Sequence, residues 1–245
     1  MQDSIRENRY RENAHEAEMA RNRPMDRDGT AVMTCDGGRE HVGKLILTST
    51  FAPVSHMLGR LDPDLKGRTV TFIPTASMKD ATGVFNRMAK WRLRAIGLNV
   101  KEIDVAVASY RDIKDAIASS DMIYVTGGNT FYLMQALRYS SADKLIEQAV
   151  QGGGIYIGES AGAVVTGPDI EYIKLMDSER PAPYLNGYAG MGLVDFNIVP
   201  HIGSPALGES AADIMRHDDG TRTLVPIRDD QAVLVNGPRV EIVDR

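Results

Sequence analysis

The stretch Gly154-Ile155-Tyr156-Ile157-Gly158-Glu159-Ser160-Ala161-Gly162-Ala163 leaves the chain few ways to fold around it. Ile155 to Ile157 is a short apolar run bounded by glycines, which is the pattern of a buried strand. It ends in Gly158-Glu159-Ser160-Ala161-Gly162, a G-x-S-x-G sequence that turns a chain sharply from strand into helix. Ser160 then stands at the apex of the turn. Glycines on either side let neighbouring backbone close in around it. The amide of Ala161, at the start of the following helix, faces the same space as the Ser160 hydroxyl, where partial positive charge gathers. Five residues alone would equally suit a glycine-rich turn whose serine caps a helix. The rest of the chain has to choose between the two.

The sequence on both sides alternates strands with helices. Strands are expected at 44–50, 69–75, 100–105 and 121–126, with helices at 54–61, 83–96, 110–119, 131–138 and 142–150 between them. Several of the strands are continuous Val, Ile and Tyr runs. That composition fits a parallel sheet covered on both faces better than a half-exposed antiparallel one. Beyond Ser160 the pattern loosens into a proline-marked surface loop through Pro168, Pro181 and Pro183. A short strand at 197–200, a helix at 207–216 and closing strands at 223–227, 232–235 and 240–243 follow, the last two as an antiparallel hairpin. Residues 1 to 42 differ from the domain at 43–245. They are dense in charge and poor in branched apolar side chains, so a disordered extension is expected there.

In an open α/β sheet, functional groups collect at the carboxyl ends of strands. Ser160 is one such group. Gly127-Gly128-Asn129 follows the strand at 121–126, where glycine amides can approach a carbonyl oxygen. His201 follows the strand at 197–200 and could take the Ser160 proton and return it to a leaving amine. Singly, the glycines read as a tight turn and the histidine as an ordinary surface residue; together they supply a nucleophile, oxyanion donors and a base. The other histidines are poorer bases by position: His15 and His41 precede the domain, His56 lies in an early loop and His217 in a charged context. A carboxylate should orient the imidazole. Between Ser160 and His201 the choices are Asp169, Glu171, Asp177, Glu179 and Asp195, and spacing does not select one.

With these residues in place, the chain resembles the dipeptidase E and cyanophycinase family of serine peptidases. The matching pieces are Gly127-Gly128-Asn129-Thr130-Phe131, Gly158 to Ala163, Gly167-Pro168 and Pro200-His201, spread over most of 44–205. The resemblance implies a three-layer α/β/α sandwich with a mostly parallel central sheet, similar to class I glutamine amidotransferase domains, with serine in place of cysteine at the turn. It implies Ser160 as nucleophile, His201 as base, and an oxyanion hole from Ala161 with Gly127 or Gly128. Asp177 is the nearest counterpart of the family's acid, and Asn129 and Glu159 are expected to bind substrate. Where the aspartyl dipeptidases of that family carry a basic residue after Gly-Pro, this chain has Asp169-Ile170-Glu171. A preference for N-terminal aspartate therefore does not carry over.

Composition narrows the remaining possibilities. A net charge of −5 disfavours nucleic acid and anionic membranes as partners, and no apolar run reaches membrane-spanning length. The lone Cys35 forms no internal disulfide and agrees with a reducing cytoplasm. No metal-ligand spacing and no phosphate-binding loop are found, so no cofactor or metal is expected. A small peptide is the expected substrate, with a homodimer as the one protein contact anticipated. Two other readings share the turn. An esterase-type α/β-hydrolase usually carries its histidine near the C-terminus, and no histidine follows His217 here. An amidotransferase-like binding domain would keep the fold and lack turnover.

Overall fold

The apolar runs become the middle of one sheet. In the computed structural model, which describes residues 31–34, 43–77 and 83–245, strands β2 (Lys44–Thr48), β3 (Thr69–Ile73), β4 (Asn99–Glu102), β5 (Met122–Val125) and β6 (Ile155–Glu159) pair in parallel in the order β2-β6-β5-β3-β4. Every residue of β5 and β6 is buried, as strands covered on both faces must be. Strand β4 is the exposed edge and stops at Glu102, short of the expected end at 105. There Asp104 accepts hydrogen bonds from the Thr75 hydroxyl and the Ala106 N–H, and the chain turns out of the sheet.

The other edge is antiparallel. β9 (Gln231–Asn236) pairs with β2, and the hairpin to β10 (Arg239–Asp244) extends the sheet beyond it. β1 (Ala31–Thr34) then lies antiparallel on β10, pairing Ala31 with Ile242. These four residues fall inside the segment expected to be a disordered extension, and pairing with an open sheet edge is what orders them. The rest of that extension lies outside the described residues. The segment expected as a third closing strand is shorter, and it leaves the main sheet. As β8 (Leu224–Pro226) it pairs in parallel with β7 (Asn197–Val199) in a separate two-stranded sheet.

Helices cover both faces, giving the three layers. On one face α1 (Phe51–Val54), α2 (Leu58–Leu61) and α3 (Gly83–Ala95) pack on Ile46, Phe72, Tyr124 and Ile157. On the other, α4 (Tyr110–Ala118), α5 (Thr130–Ser140) and α6 (Ala142–Gln151) cover Leu45, Ile123, Val125 and Tyr156. α7 (Ala161–Val164) and α8 (Gly208–His217) join that second face. Each fully buried Leu, Ile or Phe contributes about 1.5–3 kcal/mol relative to exposure. Among the described helices none is long and apolar enough to cross a membrane. The proline-marked loop after α7 is fixed from α5, because Arg138 donates to the carbonyls of Asn186, Gly187 and Ala189.

Candidate active site

Strand β6 runs straight into α7, and Ser160 occupies the single residue between them at φ 49°, ψ −111°. Such a backbone costs a non-glycine residue of order 1–3 kcal/mol and persists only where its surroundings hold it. Here the Ser160 N–H donates to the Thr48 carbonyl at 2.8 Å, and the Ser160 carbonyl accepts from Ala163 and Val164 at 2.8 and 2.9 Å. The buried Tyr156 adds a hydrogen bond from its hydroxyl to the Gly162 carbonyl at 2.6 Å. Glycine is required at 162: a Cβ there would stand 2.2 Å from the Val125 carbonyl oxygen of the neighbouring strand.

His201 comes from the small sheet. β7 ends at Val199, and after Pro200 the chain places His201 at φ 67° with its N–H donating to the Ser49 hydroxyl at 2.9 Å. Its Nε2 lies 2.9 Å from Ser160 Oγ, and its Nδ1 lies 2.7 Å from Asp229 Oδ1. A carboxylate can only accept, so Nδ1 carries the proton and Nε2 is left to accept the Ser160 hydroxyl proton. The His201 ring holds the Asp229 carboxyl below its ordinary value, against the upward pull of burial. Serine, histidine and aspartate thus form one unbroken line of hydrogen bonds.

The carboxylate in that line corrects the expectation. Asp177 does not reach the imidazole; its Oδ2 accepts the Thr130 N–H at 2.8 Å at the start of α5. Asp229 lies beyond His201 in the chain, outside the interval between nucleophile and base that supplied the candidate carboxylates. The sequence does hold a signal for it. Asp229 comes two residues after the run Thr223–Ile227, and carboxyl ends of strands are where functional groups collect. β7 and β8 are parallel neighbours, with Val199 opposite Pro226, so residues just beyond each strand arrive side by side.

The polar atoms of the two residues expected to bind substrate have partners within the protein. Asn129 is not in the cavity wall: its side-chain oxygen caps α5 by accepting the Tyr132 N–H at 2.9 Å, and its amide donates to the Ser178 carbonyl at 2.8 Å. Glu159 borders the cavity, but its carboxylate turns inward, accepting the Phe51 N–H at 2.9 Å and the Tyr124 hydroxyl at 2.7 Å. Burial raises the Glu159 carboxyl, while those two hydrogen bonds and the nearby His201 ring pull it back down.

Gly127, Gly128 and Ala161 line the same cavity of about 410 Å³ as Ser160, His201 and Asp229. Among the described residues no backbone carbonyl takes the N–H of Gly127, Gly128 or Ala161. Gly128 sits at φ 136°, and a Cβ on it would stand 2.2 Å from the Ala76 carbonyl oxygen, so only glycine lets the loop pack there; a Cβ on Gly127 would stand 3.0 Å from Ser160 Cβ. Among the described residues no cluster of three or more His, Cys, Asp or Glu side chains is placed to hold a metal ion.

Relatives carry the same architecture. A Listeria monocytogenes protein, an uncharacterised peptidase, is 41% identical over 196 residues, spanning 80% of this chain and 96% of its own. Peptidase E of Salmonella arizonae is 32% identical over 162 residues, or 64% of this chain and 67% of that protein. A crystal structure from Listeria monocytogenes of a protein assigned as a peptidase E superposes with a TM-score of 0.79 at 39% identity. It covers 83% of this chain and 98% of that one. These likenesses do not favour the esterase or the binding-domain alternative. The model of peptidase family S51 matches residues 43–243, so the chain belongs to that family and is a serine-type peptidase.

Proposed function

We propose that this peptidase cleaves short peptides through an acyl-enzyme on Ser160. The observation that carries the reading is the hydrogen-bonded line Ser160–His201–Asp229, with contacts of 2.9 and 2.7 Å. His201 Nε2 takes the hydroxyl proton as Ser160 Oγ bonds to the scissile carbonyl carbon. The carbonyl oxygen becomes an oxyanion held by the Ala161 amide and that of Gly127 or Gly128. The tetrahedral intermediate then expels the amine, which leaves with the proton from His201. Water, deprotonated by the same ring, attacks the ester carbonyl and releases the carboxylic acid and free Ser160. Asp229 keeps Nδ1 protonated and steadies the imidazolium that forms in both halves. A cavity of about 410 Å³ suits a short peptide better than a folded chain.

A fluorophosphonate probe tests the reading directly. The native protein should be labelled at Ser160, and Ser160→Ala should lose both labelling and peptide hydrolysis while keeping its melting temperature. Hydrolysis retained by Ser160→Ala would sink the proposal.

A further inference from the structure

Asp177 lines the catalytic cavity, yet it has no part in the Ser160–His201–Asp229 line. It follows Glu171–Leu175, a 3-10 turn that closes one side of the cavity, and is anchored by the Thr130 N–H at 2.8 Å. Thr130 is two residues beyond Gly128. Successive Cα atoms are ~3.8 Å apart, which puts the start of α5 within about 8 Å of the oxyanion amides. In a peptide, the α-nitrogen of the residue whose carbonyl is attacked lies only two bonds from the reacting carbon. Asp177 lines the same cavity as Ser160, and its carboxylate is anchored at the start of α5, on the side of the cavity where that nitrogen can sit.

The rest of the wall sets what can accompany it. No Lys or Arg lines the cavity among the described residues, while Phe85, Val164, Ile173, Met176 and Leu207 do. Two neighbouring cations are taken up elsewhere. Arg222 is paired with Asp169 and Glu171, and Lys174 is held by Glu171 and Glu179 against the Tyr188 ring. An anionic substrate side chain would meet apolar walls and the Asp177 charge, with no counter-ion among the described lining residues, which both desolvation and repulsion oppose.

We propose that Asp177 binds the α-ammonium of the substrate's N-terminal residue, and that this residue carries an uncharged side chain. This rests on Ser160 being the nucleophile and adds the substrate class: short peptides with a free amine, opened after an uncharged first residue.

The test compares Leu-Ala, Asp-Ala and N-acetyl-Leu-Ala on the full chain. Leu-Ala should be cleaved at least ~10-fold faster than Asp-Ala in kcat/KM. Acetylation, which removes the cation, should cost roughly 10- to 100-fold, the value of one hydrogen bond between charged groups. In Asp177→Asn, which can still accept the Thr130 N–H, the preference for the free amine should shrink to within about threefold, mainly through KM. Asp177→Glu keeps the charge and should restore part of it. A purely structural role would lower both substrates together and leave their ratio unchanged. Acetylation tolerated by the native enzyme, an unchanged ratio in Asp177→Asn, or faster cleavage of Asp-Ala would each overturn the proposal. Fluorophosphonate labelling of the native protein separates the two levels: if Ser160 is unlabelled the nucleophile reading itself fails, whereas labelling with any of those outcomes removes only the role of Asp177.

Discussion

Ser160 and His201 are held in left-handed backbone that side chains rarely adopt, at φ 49° and 67°. In each case a hydrogen bond from the residue's own N–H fixes the strain, to Thr48 and to Ser49. Asp229 supplies the remaining constraint by choosing the imidazole tautomer. Asp229→Asn offers an amide that can present either an N–H or a carbonyl to Nδ1, and it removes the charge that stabilises the imidazolium. We expect kcat to fall steeply while KM changes little; the same change in a trypsin-type triad, which costs roughly 10⁴ in kcat, sets the scale. Steady-state kinetics on one peptide would check it, and a loss below tenfold would remove Asp229 from the mechanism. Its carboxyl lies below its ordinary value. The stability it contributes is therefore complete above the unfolded value of ~3.9 and is lost only as pH falls through the lower folded one. Acid inactivation above about pH 4 has to come from another group.

At the scale of the element, the turn between β6 and α7 is held by a carboxylate beneath it. Glu159, the last residue of β6, receives the Phe51 N–H at the start of α1 and the hydroxyl of Tyr124, which itself stacks on Phe72 with ring centroids 5.0 Å apart. Burial raises this carboxyl. A raised carboxyl favours the folded state most below the unfolded value of ~4.3, and that advantage is lost as pH rises through the folded one. Glu159→Gln abolishes the titration and keeps a group that can hydrogen-bond to both partners. The melting temperature of the variant, measured relative to the native protein, should therefore rise between pH 4 and pH 7. A difference that stays flat with pH, or falls, would show that the two hydrogen bonds outweigh burial.

Across the whole molecule, the site exists only because two sheets are locked together. Ser160 follows a strand of the eight-stranded sheet, and His201 and Asp229 follow the strands of the two-stranded one. Ser49, just past β2, bridges them: its hydroxyl accepts the His201 N–H at 2.9 Å and donates to the Ile227 carbonyl at 3.1 Å. The side chain is buried, so Ser49→Ala leaves the His201 N–H without its partner, at a cost of ~1–3 kcal/mol, while the Ile227 carbonyl still accepts the Ile202 N–H at 3.1 Å. For a domain of this size we expect the melting temperature to drop by ~2–4 °C per kcal/mol. The drop should come with a lower kcat at nearly unchanged KM as His201 drifts from Ser160. Wild-type kcat in Ser49→Ala would mean that β7 and β8 hold the histidine without help from the main sheet.

Much of this is legible in local pattern. Continuous apolar runs at 45–47, 122–125 and 155–157 are buried, so such runs alternating with helices identify a mostly parallel, doubly covered sheet. Ser160, Gly127, Gly128, Ala161 and His201 stand out because each follows such a run, and the strand end determines where the side chain goes. Only the tertiary structure decided the partner of His201. Asp229 and Asp177 are both aspartates near a turn, and the parallel pairing of β7 with β8 brings the first to the ring, while α5 claims the second. The same holds for Asn129 and Glu159, whose polar atoms are used by a helix start and a buried tyrosine. It holds too for Ala31–Thr34, a strand only because β10 offers an unpaired edge. Local sequence dictates which elements form and where they end; which side chains meet depends on contacts between residues tens of positions apart.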